Sequence, residues 1–167
     1  MRKAIAVVAL VLAGATACGS LDDHASTPSQ SANAVAKFGQ PVKVTGSQGA
    51  TAEATVLTVT AQPKGQGDIA EAPANGQYSV IDVQIKGTGG SFPTNPLYLH
   101  YQAADGKTYD QNAGNAMTAG FTPELPVGSV PSGQSARGVV AIDTPTGQPK
   151  SIQLVNELGD VIATWQP

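Results

Sequence analysis

The sequence predicts an all-β domain, built as a sandwich of two antiparallel sheets. The first observation is strict alternation from Gln77 to Lys86, which is typical of a strand with one face in a core. The apolar side of this central strand carries Ser79, Ile81, Val83 and Ile85. The second is a set of short apolar runs separated by Gly, Pro, Asn and Asp. The third is composition, since charged residues make up 13% and the chain has 19 glycines and 12 prolines. A closed barrel is the alternative.

Strands of the same kind are expected on both sides of the central strand. They are Pro41–Gly46, Thr51–Ala61, Leu97–Ala104, Lys107–Asp110, Gln134–Asp143, Ser151–Asn156 and Val161–Trp165. Asp105-Gly106 predicts a tight hairpin turn, because both residue types tolerate positive φ. Runs rich in Gly, Pro and Asn predict three long loops, at Gln62–Gly76, Gly87–Pro96 and Asn112–Val127. About eight strands with frequent turns favour the sandwich.

The first 17 residues have the pattern of a lipoprotein signal peptide. Arg2 and Lys3 precede the apolar run Ala4–Ala13, which is too short to cross a bilayer and suits a signal sequence. The small residues Gly14–Ala17 stand directly before Cys18 and resemble the bacterial lipobox, whose cysteine receives a diacylglyceryl group. The alternative is an ordinary A-x-A cleavage site at Ala15–Ala17, which leaves Cys18 a free thiol.

The lipobox resemblance divides the chain into three parts. Residues 1–17 form the signal peptide, residues 18–36 the lipidated Cys18 with a disordered tether, and residues 37–167 the domain. The tether is rich in Ser, Ala, Asn and Thr, and it has little apolar surface to bury. With multiple acyl chains on Cys18, the expected location is the extracytoplasmic face of the cell membrane. Because Cys18 is the sole cysteine, no disulfide can form within the chain.

The charge of the chain argues against nucleic acid as a partner. Without Arg2 and Lys3 in the leader, 7 basic residues face 12 acidic ones, a net charge of about −5. Nucleic-acid binding requires a basic face. A surface low in charge and rich in Ser, Thr, Gln and Gly is better suited to an envelope or host protein, or to a glycan.

Three motifs resemble sites that carry chemistry, and none is predicted to form one. Gly65–Ala70 fits G-x-G-x-x-A, but Pro73 and Asn75-Gly76 follow, so the required helix cannot begin there. Gly133–Arg137 lacks the second glycine of a nucleophile elbow and enters a strand instead of a helix. Asp105–Asn112 lacks the ligand spacing of a calcium loop, and zinc has too few Cys and His ligands.

His100 is the remaining candidate for catalysis. A general base needs an orienting carboxylate and a nucleophile within hydrogen-bond reach. Asp82 could provide the carboxylate, but the sequence shows no nucleophile for His100. We therefore expect a strand histidine in contact with solvent or with a ligand. No catalytic residue, cofactor or metal ligand is predicted.

Four segments, in this order, resemble a known family. They are Tyr78–Ile85, Ala104–Tyr109, Pro131–Asp143 and Ile162–Pro167 with its Trp-x-Pro ending. They are similar to the mycobacterial immunoprotective extracellular protein and to the wider telokin-like domain family around it. The resemblance covers about Phe38 to Pro167. It implies an immunoglobulin-like sandwich and a secreted or surface-anchored actinobacterial protein, often antigenic, with no established catalytic residues.

The predicted function is that of a non-catalytic, surface-displayed lipoprotein that binds a partner of unknown identity. Its three long loops are the expected contacts, since loops on a rigid scaffold commonly carry specificity. The alternative is a carrier or chaperone for an apolar envelope molecule held between the sheets. That alternative requires an apolar cavity of several hundred Å³.

Overall fold

A computed structural model describes residues 34–167. Its secondary structure is almost entirely β, with two single-turn 3₁₀ helices at Pro96–Tyr98 and Ala116–Thr118. The strands are β1 (Ala34–Lys37), β2 (Val42–Thr45), β3 (Thr51–Gln62), β4 (Gln77–Gly89), β5 (Ser91–Thr94), β6 (Leu99–Gln102), β7 (Thr108–Tyr109), β8 (Gly128–Pro131), β9 (Ser135–Thr144), β10 (Ser151–Val155) and β11 (Val161–Gln166). Within these residues, no helix is long and apolar enough to cross a membrane.

The strands form two sheets that pack face to face, so the predicted sandwich is confirmed. The front sheet has the order β2-β3-β4-β9, and the back sheet has the order β1-β11-β10-β6-β7. Strands β5 and β8 form a separate two-stranded ribbon. Every pairing is antiparallel except that of β1 with β11. Two open sheets, each with two edge strands, replace the barrel considered as the alternative.

Strand β4 is the central element of the front sheet, as the sequence predicts. It is 13 residues long and pairs with β3 on one side and β9 on the other. Its inward residues Ile81, Val83 and Ile85 are buried, and buried residues alternate with more exposed ones from Ile81 to Thr88. A β-branched inner face suits a strand because the branched side chains pack well on a pleated surface.

One contiguous cluster of side chains from both sheets fills the interior. Trp165, Tyr101 and Ile81 are the largest of its members that are fully buried. The indole Nε1–H of Trp165 donates to the carbonyl of Gln40 at 2.9 Å, and the Tyr101 hydroxyl donates to Gly147 at 3.1 Å. Among the described residues, every buried polar side-chain atom has a hydrogen-bond partner. The buried polar groups of the core are thus hydrogen-bonded, and the sheets are held together by packing without a disulfide.

Two details of the sequence prediction are changed by the structure. The segment Gly87–Pro96, predicted to be a loop, completes β4 and forms β5, so that prediction is wrong. Gly87 hides the strand signal, because it lacks a side chain where a Cβ would press on the carbonyls of Val130 and Pro131. Residues Ala34–Ala36, predicted to lie in the tether, belong to β1, which pairs with β11 at one edge of the back sheet. A local pattern cannot reveal such a long-range pairing.

Candidate functional site

The outer face of the front sheet is covered at one end by two of the predicted loops. The loops are Gln62–Gly76, between β3 and β4, and Asn112–Val127, which runs from the end of the β6–β7 hairpin to β8. Beneath them, the outward side chains of Tyr78 and Val80 are buried and join Ala119 and Ala141 in a second apolar cluster. Phe121 packs edge to face on Tyr78, with 5.9 Å between ring centroids. The first half of β4 is therefore buried on both faces.

The buried carboxylate of Asp143 attaches both loops to the sheet. It accepts hydrogen bonds from the backbone N–H groups of Ala74 at 2.6 Å, Asn75 at 2.9 Å and Asn115 at 2.8 Å. The side-chain amide of Asn75 also donates to the Asp143 carbonyl at 3.1 Å. Gly114 lies so close that a Cβ there would collide with the carboxylate. Charged acceptors form the stronger hydrogen bonds, so this residue acts as a clamp.

Tyr78 attaches the same two loops from below. Its hydroxyl lies 2.9 Å from the carbonyl of Glu71 in one loop and 3.3 Å from that of Asn115 in the other. Burial raises the pKa of the Tyr78 phenol above its ordinary value, with smaller contributions from the negative charges of Asp143 and Glu71. The neutral phenol is the form that can donate to these carbonyls.

The loops also pair with each other and run in opposite directions. The N–H of Gln66 donates to Ala119 at 2.7 Å, and the Asn115 side-chain amide donates to Ala72 at 2.8 Å. Ile69 and Met117 lie midway between these two contacts, on facing segments. Their side chains are 93% and 73% exposed. We call the paired segments Gln66–Ala72 and Asn115–Ala119 the loop platform.

The structure places His100 on the outer face of the back sheet. It lies on β6, half-buried, at the edge of an open groove of about 400 Å³. Asp82 points outward from the front sheet, where its carboxylate is paired with Arg137 at 2.7 Å. The core separates the two residues, so the pairing of Asp82 with His100 considered from the sequence is wrong.

The other three motifs take ordinary local structures. Gly65–Ala70 lies in the loop platform region without a helix, and Gly133–Arg137 turns into β9. Asp105-Gly106 forms the predicted hairpin turn, with Gly106 at a φ of 88°. In the part of the chain that the structure describes, no three His, Cys, Asp or Glu side chains gather as a metal site would require. The predicted lipidation site, Cys18, lies outside the described residues, as do the predicted signal peptide and most of the predicted tether.

The fold is similar to those of two solved structures. One is MPT63, a secreted protein from Mycobacterium tuberculosis, with a TM-score of 0.62 and 19% identity over 82% of this chain and 99% of that chain. The other is the yjhA protein from Bacillus subtilis, with a TM-score of 0.52 and 14% identity over 75% of this chain and 84% of that chain. No protein-family model and no curated protein matches the chain. At these identities the likenesses show the fold alone.

The likeness to a secreted mycobacterial protein agrees with the resemblance stated from the sequence, at the level of fold. Membership of the telokin-like family stays a prediction. The sequence analysis missed the role of Asp143, because alternation from Val140 and Ile142 places it on the outer, solvent side. The available signal was a single acid directly after the apolar run Val139–Ile142.

Proposed function

We infer that this protein is a non-catalytic binding module, displayed on the extracytoplasmic face of the membrane by a lipid on Cys18. The leader and its cysteine support the anchor, and a fold shared with a secreted protein is compatible with the location. The family that the sequence resembles has no established catalytic residues. The function therefore rests on a recognition surface.

The observation that carries the proposal is the loop platform. Its two segments are bound to each other and to the Tyr78 hydroxyl, and the Asp143 carboxylate accepts from Asn115 in one segment and from Ala74 just after the other, so their conformation is fixed before any partner arrives. A pre-ordered surface loses less conformational entropy on binding. Ile69 and Met117 are exposed apolar side chains, one on each segment, and such side chains are available for contact with a protein partner. An envelope or host protein is thus the expected partner of the platform.

The carrier function has no comparable support. A carried apolar molecule would occupy the space between the sheets, and Trp165, Tyr101 and their neighbours fill that space. Native mass spectrometry of the intact lipoprotein tests this alternative, since a co-purified lipid would favour it.

The platform is tested by crosslinking the intact lipoprotein in its own membrane and identifying what is captured. We expect the double substitution Ile69→Ser with Met117→Ser to lower capture of a defined protein at least fivefold. Leu158→Ser is the matched control, because Leu158 is 77% exposed in the β10–β11 turn. That turn lies beside the β2–β3 turn, since the backbone N–H of Ser47 donates to the carboxylate of Glu157 at 3.2 Å. Both turns are at the opposite end of β3 from the platform. Equal capture by native protein and double variant would refute the role of the platform.

The anchor is tested separately with Cys18→Ala. We expect this variant to leave the detergent phase and enter the medium, because two or more acyl chains are needed for stable membrane attachment. A variant that still partitions into detergent would refute lipidation of Cys18.

A further inference from the structure

An Asn-Gly pair, Asn75-Gly76, ends the first of the two covering loops and leads directly into β4. Asparagine is a chemically labile residue. It loses its side-chain nitrogen fastest when the backbone nitrogen of the next residue can attack the side-chain amide carbon. A following glycine favours this attack, because it has no side chain in the way and its backbone adopts many conformations. Of the six asparagines in the sequence, only Asn75 precedes a glycine.

The structure leaves the attacking nitrogen available. Among the described residues, none accepts a hydrogen bond from the backbone N–H of Gly76. Asn75 and Gly76 are both exposed, so water reaches the pair. The fold also requires this glycine, since its φ is 136° and a Cβ would lie 3.3 Å from the backbone nitrogen of Thr146. The reactive pair is therefore a consequence of the fold, because another residue after Asn75 would be strained.

One hydrogen bond opposes the reaction while the loop is closed. The side-chain nitrogen of Asn75 is the leaving group, and it donates to the carbonyl of Asp143 at 3.1 Å. The backbone N–H of Asn75 donates to Oδ1 of Asp143 at 2.9 Å, which holds Asn75 against β9. The first of these contacts must break before the nitrogen can leave. The reaction therefore needs local opening of the loop, and its rate depends on how often the loop opens.

We propose that Asn75 is a site of spontaneous modification by water, which turns its side-chain amide into a carboxylate and loosens the attachment of the loop platform to β9. The backbone nitrogen of Gly76 forms a bond to the side-chain carbon of Asn75 and gives up its proton, and the side-chain nitrogen leaves as ammonia. Water then opens the resulting cyclic imide at either carbonyl and returns a proton to the nitrogen of Gly76. The products are aspartate and isoaspartate. The modification goes beyond the proposed function, because it concerns how the platform is attached and not what it binds.

The product cannot restore the contact with Asp143. A carboxylate has no N–H to donate, so the carbonyl of Asp143 loses its partner, at a cost in free energy. The new negative charge also lies beside the Asp143 carboxylate, and like charges repel. In isoaspartate the main chain runs through the former side chain, which shifts Ala74 relative to its acceptor as well. The modified loop therefore opens more often, although its contacts with Tyr78 and with the other loop remain.

The reaction is tested by peptide mass spectrometry on the full-length protein after incubation at mildly alkaline pH. We expect Asn75 to be converted at least tenfold faster than Asn112 or Asn156, which no glycine follows. Asp143→Asn weakens the attachment of the loop, so it should raise the rate at Asn75 at least fivefold and leave the rate at Asn156 unchanged. Conversion of Asn75 no faster than that of Asn112 or Asn156, including no conversion at all, would overturn the proposal. Equal rates at Asn75 in the native protein and in Asp143→Asn would overturn it too.

The effect on the platform is tested with Asn75→Asp, which carries the carboxylate of the product from the start. The measurement is amide hydrogen exchange by NMR. Ala74 and Asn115 both donate to Oδ2 of Asp143, and their amides should exchange at least tenfold faster in this variant than in the native protein.

Asn95→Asp is the matched control, because it introduces the same charge without removing a donor. The side-chain oxygen of Asn95 accepts from the backbone N–H of Leu97 at 2.9 Å, and a carboxylate can do the same. The amides of Ala74 and Asn115 should exchange in this variant as they do in the native protein. Native exchange rates in Asn75→Asp, or equal acceleration by Asn95→Asp, would overturn the proposed effect on the platform.

Discussion

Replacing Asp143 with asparagine tests whether one buried carboxylate holds the loop platform in place. The carboxylate accepts two N–H groups on Oδ2, from Ala74 and Asn115, and one on Oδ1, from Asn75. An asparagine keeps the shape but has a single acceptor oxygen. In its better orientation that oxygen serves Ala74 and Asn115, while the NH₂ group faces the N–H of Asn75.

The expected loss follows from these contacts. One buried N–H loses its acceptor, which costs about 1–3 kcal/mol, and two hydrogen bonds lose their charge assistance, at roughly 0.5–1 kcal/mol each. We therefore expect Asp143→Asn to lower the free energy of unfolding by about 3 kcal/mol, equivalent to a fall in Tm of roughly 10 °C. Platform amides should exchange with solvent faster than core amides, because the loops open before the sheets do.

Urea unfolding and amide hydrogen exchange measure the two effects. Asp82→Asn is the control, since Asp82 lies on the neighbouring strand but forms a surface ion pair with Arg137. Exposed ion pairs contribute little to net stability, so this variant should unfold almost as the native protein does. A loss below 1 kcal/mol in Asp143→Asn, with Ala74, Asn75 and Asn115 amides still protected, would refute the clamp.

Three further predictions concern groups buried by the fold. Because burial raises the pKa of Tyr78 in the folded state, its contribution to stability is complete below about pH 10 and declines above it, so Tyr78→Phe should flatten the alkaline loss measured by urea unfolding. Trp165→Phe should cost about 2–3 kcal/mol in thermal unfolding, since it leaves a cavity and an unpaired carbonyl at Gln40. Gly87→Ala should cost about 1–3 kcal/mol, because its Cβ would lie 2.7 Å from the carbonyl oxygen of Val130.

Each of these has an outcome that contradicts it. An unchanged alkaline slope in Tyr78→Phe would mean that the phenol titrates alike in the folded and unfolded states. A loss under 1 kcal/mol in Trp165→Phe would mean that the interior relaxes around the smaller ring. Native stability of Gly87→Ala would mean that the ribbon of β5 and β8 moves freely.

The strands that the sequence predicted best are those with one buried face. In β4 and β9, the alternation of Ile81, Val83, Val140 and Ile142 marks the inner face, because side chains on a strand alternate strictly between two sides. The hairpin at Asp105-Gly106 was predicted for an equally local reason, the backbone freedom of its residues. Such signals need no knowledge of distant residues.

The candidate sites could not be predicted in the same way. Asp143 looks like a solvated strand residue until the loops from Ala74 and Asn115 fold over it, and these donors lie 69 and 28 residues away in the chain. The groove at His100 depends on where β7 stops pairing with β6, which alternation does not specify. The loop contacts at Asp143 and the groove at His100 are both formed by segments without a periodic sequence pattern.

A β-sandwich around the strand beginning at Gln77 follows from the residues alone, since periodicity and turn chemistry act over a few neighbouring residues. The attachment of two long loops to the front sheet, and the position of His100 and Asp82 on opposite faces, emerge only from the folded molecule. The reason is physical: burial and hydrogen bonding of a side chain depend on segments brought together by folding, and these cannot be read from the residues beside it.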